Sequence, residues 1–178
     1  MKTKFALSAL TAVLFATGSS YAAKPTTPAD SRIEVVYDHP ENFTDLKDSE
    51  FGNDKVRDAY MRELKEHLDS RAPRYLAEGQ KLSVTITDVD MAGDFEPWRG
   101  PRFSDVRIVK DIYPPRINLS FKLTDANGMV IKEDKRELRN MAFQMTSTLA
   151  FRDDPLRYEK ELLDDWLRIE FGPVKKKK

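Results

Sequence analysis

Four carboxylates, Asp88, Asp90, Asp94 and Glu96, stand directly ahead of Trp98, Arg99 and Arg102. Clustered acids have two familiar chemical uses. Oxygen donors held close together can bind calcium, and two carboxyls at a suitable separation can hydrolyse a glycoside. The spacing does not match the full calcium-loop pattern of repeated acids with glycine at the sixth position and glutamate at the twelfth, and nothing marks one acid as a proton donor with a raised pKa. A third use involves no catalysis. An indole beside guanidinium groups offers stacking area and directed donors for carboxylates or other anions. Trp98, Arg99, Arg102, Asp88, Asp90 and Glu96 are therefore the candidate binding residues, and no residue is assigned to catalysis or to a metal.

The surrounding segment, 93–115, holds four of the ten prolines (Pro97, Pro101, Pro114, Pro115) together with Phe95, Trp98, Phe103 and Tyr113 and four basic side chains, Arg99, Arg102, Arg107 and Lys110. Proline lowers the entropy lost on ordering a loop, so this composition predicts a stiff, presented surface rather than a linker. The competing expectation is structural. Trp98 and Phe103 would plug the sheet while the basic residues pair with Asp94, Glu96, Asp105 and Asp111 of the same loop. Elsewhere, Glu63 and His67 lie one helical turn apart, a spacing that suits a metal, but without a second histidine nearby they are expected to form a solvent-facing pair. Neither a Gly-x-Ser-x-Gly elbow nor a phosphate-cradling glycine loop nor a dinucleotide fingerprint occurs in the chain.

These residues need elements to hold them. Ile33, Val35 and Tyr37 alternate with Glu34, Val36 and Asp38, the period of a half-buried strand, and Asp38-His39-Pro40 turns the chain. From Asp54 the period changes: Val56, Tyr60, Leu64 and Leu68 form one face of a helix capped by Asn53 or Asp54 and ended by Pro73. Leu82, Val84 and Ile86 define a second strand whose alternation fails at Asp88, because Val89 and Met91 take the opposite phase; a bulge or the strand end belongs there. Val106 and Ile108 suggest a short strand. Ile117, Leu119, Phe121 and Leu123 make the strongest one, and Asp125-Ala126-Asn127-Gly128 turns it into an antiparallel return over 129–138 with an exposed or edge character. Asp154-Pro155 opens a last helix with Leu156, Leu162, Leu163, Trp166, Leu167 and Ile169 on a broad apolar face, stopped by Gly172-Pro173. The order predicts an α+β two-layer sandwich: a mainly antiparallel sheet of four to five strands with two main helices.

Composition narrows the classes further. The 178 residues include no cysteine and two histidines, which removes disulfides, thiolate sites and cysteine nucleophiles and leaves little for imidazole zinc. Thirty basic residues balance thirty acidic ones, against the basic excess of a nucleic-acid binder, and no cofactor is implied. Lys2 and Lys4, an apolar run over 5–17 and Ser20-Tyr21-Ala22 have the layout of a signal peptide covering 1–22, too short an apolar run for a membrane span. Its removal leaves a chain of net charge −2 with no transmembrane segment. Residues 23–31, with Pro25 and Pro28, read as a flexible linker, 32–172 as a single domain, and 173–178 as a basic tail, solvated or attracted to anionic lipid.

Particular stretches carry a likeness. Asp45, Thr87-Asp88-Val89-Asp90, the run Gly93-Asp94-Phe95-Glu96-Pro97-Trp98-Arg99-Gly100-Pro101 with its continuation over 105–117, Asp153-Asp154-Pro155-Leu156-Arg157-Tyr158-Glu159-Lys160 and Leu163-Asp164-Asp165-Trp166-Leu167 resemble the domain of unknown function 3016 family of exported bacterial proteins. The likeness covers roughly residues 33–171. It implies a periplasmic or secreted protein of the bacterial envelope and brings no catalytic residues with it.

The resulting expectation is a noncatalytic binding or accessory domain that meets an envelope protein or ligand through the 93–115 loop. The alternatives are a hydrolase using carboxylates and arginines of that loop, or a calcium-binding module.

Overall fold

The computed structural model describes residues 32–49, 51–146 and 153–172; the expected signal peptide, linker and basic tail lie outside them. A mixed sheet of four strands forms the body, in the order β1 (Ile33–Tyr37), β2 (Lys81–Asp90), β5 (Arg116–Thr124), β6 (Val130–Arg139). A second, two-stranded sheet pairs β3 (Asp94–Phe95) with β4 (Arg107–Ile108). The helices are α1 (Asp54–Arg71), the single turn α2 (Phe143–Thr146) and α3 (Arg157–Phe171). The fold is α+β.

β1 and β2 run parallel, joined through α1, whereas β2, β5 and β6 are antiparallel neighbours. A parallel pair needs a crossover, and the helix supplies it while covering the sheet. Leu64 and Leu68 of α1, Leu82, Val84 and Ile86 of β2, Leu119 and Phe121 of β5, and Leu163, Trp166 and Leu167 of α3 fuse into one apolar core. Trp166 meets Phe121 edge-on, with ring centroids 5.6 Å apart, and Phe171 closes the same cluster. The hairpin turn works as its residues dictate: Asp125 Oδ1 accepts the N–H groups of Asn127 and Met129. β6 is one of the two edge strands, mostly exposed and rich in charge, a composition that discourages strand addition.

Three local expectations need correction. Glu63 and His67 do not form a solvent-facing pair. His67 is buried and donates from Nε2 to Asp164 at 2.8 Å, and Glu63 accepts from Lys160, because α3 packs across that face of α1. Asp154-Pro155 sits just before α3 rather than at its first turn; Asp154 accepts the Leu156 N–H through its carboxylate and the Arg157 N–H through its carbonyl, a turn that delays the helix to Arg157. Ile169 is 76% exposed, since two residues past Leu167 the helix has rotated by about 200° away from the core.

The break at Asp88 is a bulge. Pairing steps from Ile86 opposite Leu119 to Asp88 opposite Asn118, so Thr87 is the extra residue. The slip keeps Val89 in the core facing Ile117 and brings Asp90 opposite Arg116.

Candidate functional site

Past the bulge, the end of β2 gains a second neighbour. The chain leaves β1 at Tyr37, with His39 in the left-handed region at φ 52°, and returns at Asp45, which bridges Asp90 in parallel fashion. The Asp45 N–H donates to Val89 O, and the Met91 N–H to Asp45 O. Backbone pairing thus fixes a carboxylate beside the start of the 93–115 loop.

That carboxylate is the loop's first anchor. Arg107 donates to both oxygens of the buried Asp45, at 2.7 and 2.9 Å, and also to the carbonyls of Gly93 and Lys47. Its guanidinium lies 4.5 Å from the centre of the Phe95 ring, so nearly every face of the group is engaged. Gly93 makes this approach possible. Its φ is 84°, and a Cβ there would stand 2.9 Å from Ile108 O and 3.1 Å from Arg107 Cγ.

Glu96 is the second anchor. Only 2% exposed, it accepts from Arg99 Nε, Lys110 Nζ and the Tyr113 hydroxyl. The Lys110 ammonium, helped by the Tyr113 and Arg99 donors, holds its carboxyl below the usual range against the opposing cost of burial. Burial and the Glu96 charge raise the Tyr113 phenol in turn.

The loop held from beneath in this way turns apolar side chains outward. Trp98 is 72% exposed, Ile112 64% and Phe103 46%, and Arg102 is exposed with no ion pair to a described residue. The expected pairing within the loop is met by Arg99 and Lys110 at Glu96, and Arg107 departs from it by taking Asp45. The basic side chains Arg99, Arg107 and Lys110 serve as struts, one of them to an acid 62 positions away, while Trp98 and Phe103 do not plug the sheet.

Asp88 and Asp90 lie on the neighbouring strand end. Asp88 accepts the Thr44 N–H at 2.7 Å and its hydroxyl at 2.9 Å, tying the returning segment to β2. Asp90 pairs with Arg116 through Nε and Nη2 and lines a cleft of about 460 Å³ with Asp45, Lys47, Asp94 and Tyr113. Burial raises the Asp90 carboxyl; Arg116 opposes the shift and the charges of Asp45 and Asp88 add to it. Of the six candidate residues only Asp90 lines this cleft; Trp98, Arg99 and Arg102 lie on the loop, Glu96 is buried as its anchor, and Asp88 ties Thr44 to β2. Among the described residues no three acidic or histidine side chains come together to hold a metal ion.

Residues 31–169 match the family described as "Protein of unknown function (DUF3016)". The chain belongs to this family. The match runs from ahead of β1 into the last turns of α3, so both anchors, the presented loop and the cleft are parts of the DUF3016 domain. No match was found among curated proteins or among solved structures.

One residue of the DUF3016 domain escaped functional notice in the sequence. Glu159, in the first turn of α3, is fully buried; Oε1 accepts the Ala92 N–H at 2.8 Å and Oε2 has no hydrogen-bond partner. Burial pushes its carboxyl up to about 7, opposed by the Ala92 N–H and by the charge of Arg107. It links α3 to the residue just before Gly93, at the root of the loop. The available signal was positional: 159 falls on the stripe 156, 159, 163, 166, where an acid is out of place.

Proposed function

We propose that this DUF3016 protein is a noncatalytic binding module of the bacterial cell envelope that recognises a protein partner through the 93–115 loop. The observation that carries the reading is the pairing of a fixed base with an exposed apolar crown. Asp45–Arg107 and the Glu96 cluster hold the backbone, and Trp98, Phe103, Ile112 and Arg102 of the same loop are exposed. Aromatic and arginine side chains on a pre-ordered surface are the residue types that dominate protein interfaces, since little entropy is lost when they dock. Four of the acids near the loop are occupied: Asp45 by Arg107, Glu96 by three donors, Asp90 by Arg116, Asp88 by Thr44. That occupation favours binding over hydrolysis at the same residues.

Export to the envelope is the second part of the proposal and rests on Lys2, Lys4, the apolar run and Ser20-Tyr21-Ala22. Intact mass of the protein from fractionated cells tests it: a chain beginning at Ala23 outside the cytoplasm is expected, and an uncleaved chain held in the inner membrane would end it. The binding role is tested by crosslinking in the envelope. Wild type and Ile169→Ala, which removes an exposed apolar side chain elsewhere, should capture the same discrete protein, and Trp98→Ala with Arg102→Ala should not. Equal capture by all three would refute the loop as the contact surface.

A further inference from the structure

Glu159 stands where apolar packing alone would place a hydrophobic residue. Its carboxyl is fully buried: Oε1 accepts the Ala92 N–H at 2.8 Å, and Oε2 meets no donor. Ala92 is the last residue before Gly93, where the 93–115 loop begins. Gly93 is fixed in turn, since its N–H donates to Tyr113 O and its carbonyl accepts from Arg107. A buried acid on a core helix thus holds the root of the loop.

Little around it can balance a charge. Arg107 of β4 favours ionisation, but that guanidinium already binds both oxygens of Asp45, and Asp154 ahead of α3 opposes ionisation. From α1, the Tyr60 phenol faces it, itself raised by burial, while Glu63 is paired with Lys160, which also binds Asp154. Lys47, Asp48, Arg157 and Tyr158 share with Ala92 and Arg107 the lining of a cavity of about 250 Å³. With its proton, the carboxyl is a neutral group suited to the interior. Without it, a carboxylate is met by backbone N–H groups alone, and such a charge is relieved only by water or by movement. Which side moves follows from how each is held. Leu162, Leu163, Trp166 and Leu167 fasten α3 in the core, whereas the regular pairing at the root of the loop is two residues per strand. The loop gives way, and the neighbouring cavity lets water follow.

We infer that Glu159 is a proton-controlled latch: protonated, it locks the root of the 93–115 loop onto α3, and on losing its proton it releases Ala92 and loosens the loop. Burial raises the carboxyl to about 7, so the lock holds in mild acid and yields in mild alkali. Release also weakens the charged knot beside it. Gly93 O is one of the acceptors that hold Arg107, and an ionised Glu159 competes with Asp45 for the same guanidinium. The inference concerns the order of the loop and stands whether or not its outer surface binds a protein.

The test is native-state amide hydrogen exchange of the full chain at about pH 5 and about pH 9, each rate divided by its unfolded-chain value at that pH. Val84 and Phe121 in the paired strands serve as the reference, because global stability also changes with pH. In wild type, protection at Ala92, Gly93 and Tyr113 relative to that reference should fall at least tenfold between the two conditions. In Glu159→Gln, which keeps an acceptor for the Ala92 N–H and does not ionise, it should change less than twofold. A titration of the labelled wild type followed by NMR needs no variant: the midpoint of the Ala92 and Gly93 amide shifts should coincide with that of the Glu159 carboxyl carbon. A constant ratio in wild type, an equal fall in Glu159→Gln, or a loop midpoint about one pH unit or more from that of the carboxyl would each overturn the inference.

Discussion

The sheet body and the 93–115 loop solve the same problem, holding a chain in one conformation, with different forces. In the body, β2 and β5 present Val84, Ile86, Leu119 and Phe121 to α1 and α3, and burial of apolar area does the holding. In the loop the regular pairing is two residues per strand, and what fixes the chain is a pair of charged knots around Asp45 and Glu96. A hydrophobic core spreads its energy over many contacts, so it fails as a unit. A buried ion pair concentrates it in a few donors and acceptors, so removal of one partner strands the other in a poor solvent. The loop can therefore be unlatched while the body stays folded, and its outer side chains remain available because the inner ones do the anchoring.

The comparison breaks most sharply at Leu119. It is 2% exposed in mid-strand, and Leu119→Asp loses burial of about 1.5–3 kcal/mol and adds an unpaired charge to the core. Loss of the cooperative unfolding transition in circular dichroism is expected. Asp45→Ala comes next. It leaves the Arg107 guanidinium without its carboxylate in a site where the side chain is 15% exposed, at a cost of about 3 kcal/mol. The signal that separates knot from core is retention of a single cooperative transition at a lower midpoint.

Glu159 sharpens the boundary between the regions, because it belongs to α3 yet bonds the root of the loop. Its carboxyl is raised to about 7, against about 4.3 for an ordinary glutamate in the unfolded chain. Between these values the folded protein keeps a proton that the unfolded chain releases. The contribution is thus full below pH about 4 and is lost as pH rises through about 7. Glu159→Gln should flatten that slope and unfold with a stability about 2 kcal/mol above wild type at pH 8, as read from denaturant titrations at several pH values. An unchanged slope would mean that the proton sits elsewhere. The smallest effect is expected at the crown: Trp98→Ala with Arg102→Ala should shift stability by about 0.5 kcal/mol or less, since both side chains face solvent.

How far these features could be read from the chain depends on whether their cause is local. The alternation of Ile117, Leu119, Phe121 and Leu123 and the change of phase at Asp88 are local, and they locate β5 and the bulge. The exposure of Trp98 and Phe103 accords with a presented 93–115 loop, as its local composition led one to expect. Partnership across the fold was not legible. Nothing near Arg107 points to Asp45, 62 residues earlier, and nothing near His67 points to Asp164, so an arginine expected to pair within its loop and a histidine expected in solvent both found distant carboxylates. The parallel pairing of β1 with β2 is likewise a matter of where α1 returns the chain, which alternation alone does not encode. Asp88, Asp90 and Glu96 were recognised as a cluster by spacing, but the bulge and the loop send them to three different environments.

Native-state hydrogen exchange of wild type and Asp45→Ala tests the central claim, that the loop is a fixed platform latched by charge onto an independently stable body. In wild type the N–H groups of Gly93, Arg99 and Tyr113, bonded to Tyr113 O, Glu96 O and Lys110 O, should be protected, though less than those of Val84 and Phe121 in the paired strands. In Asp45→Ala the first set should lose its protection while the strand amides keep theirs. Exchange of the wild-type loop at unfolded-chain rates, or joint loss of protection in loop and strands, would contradict the account.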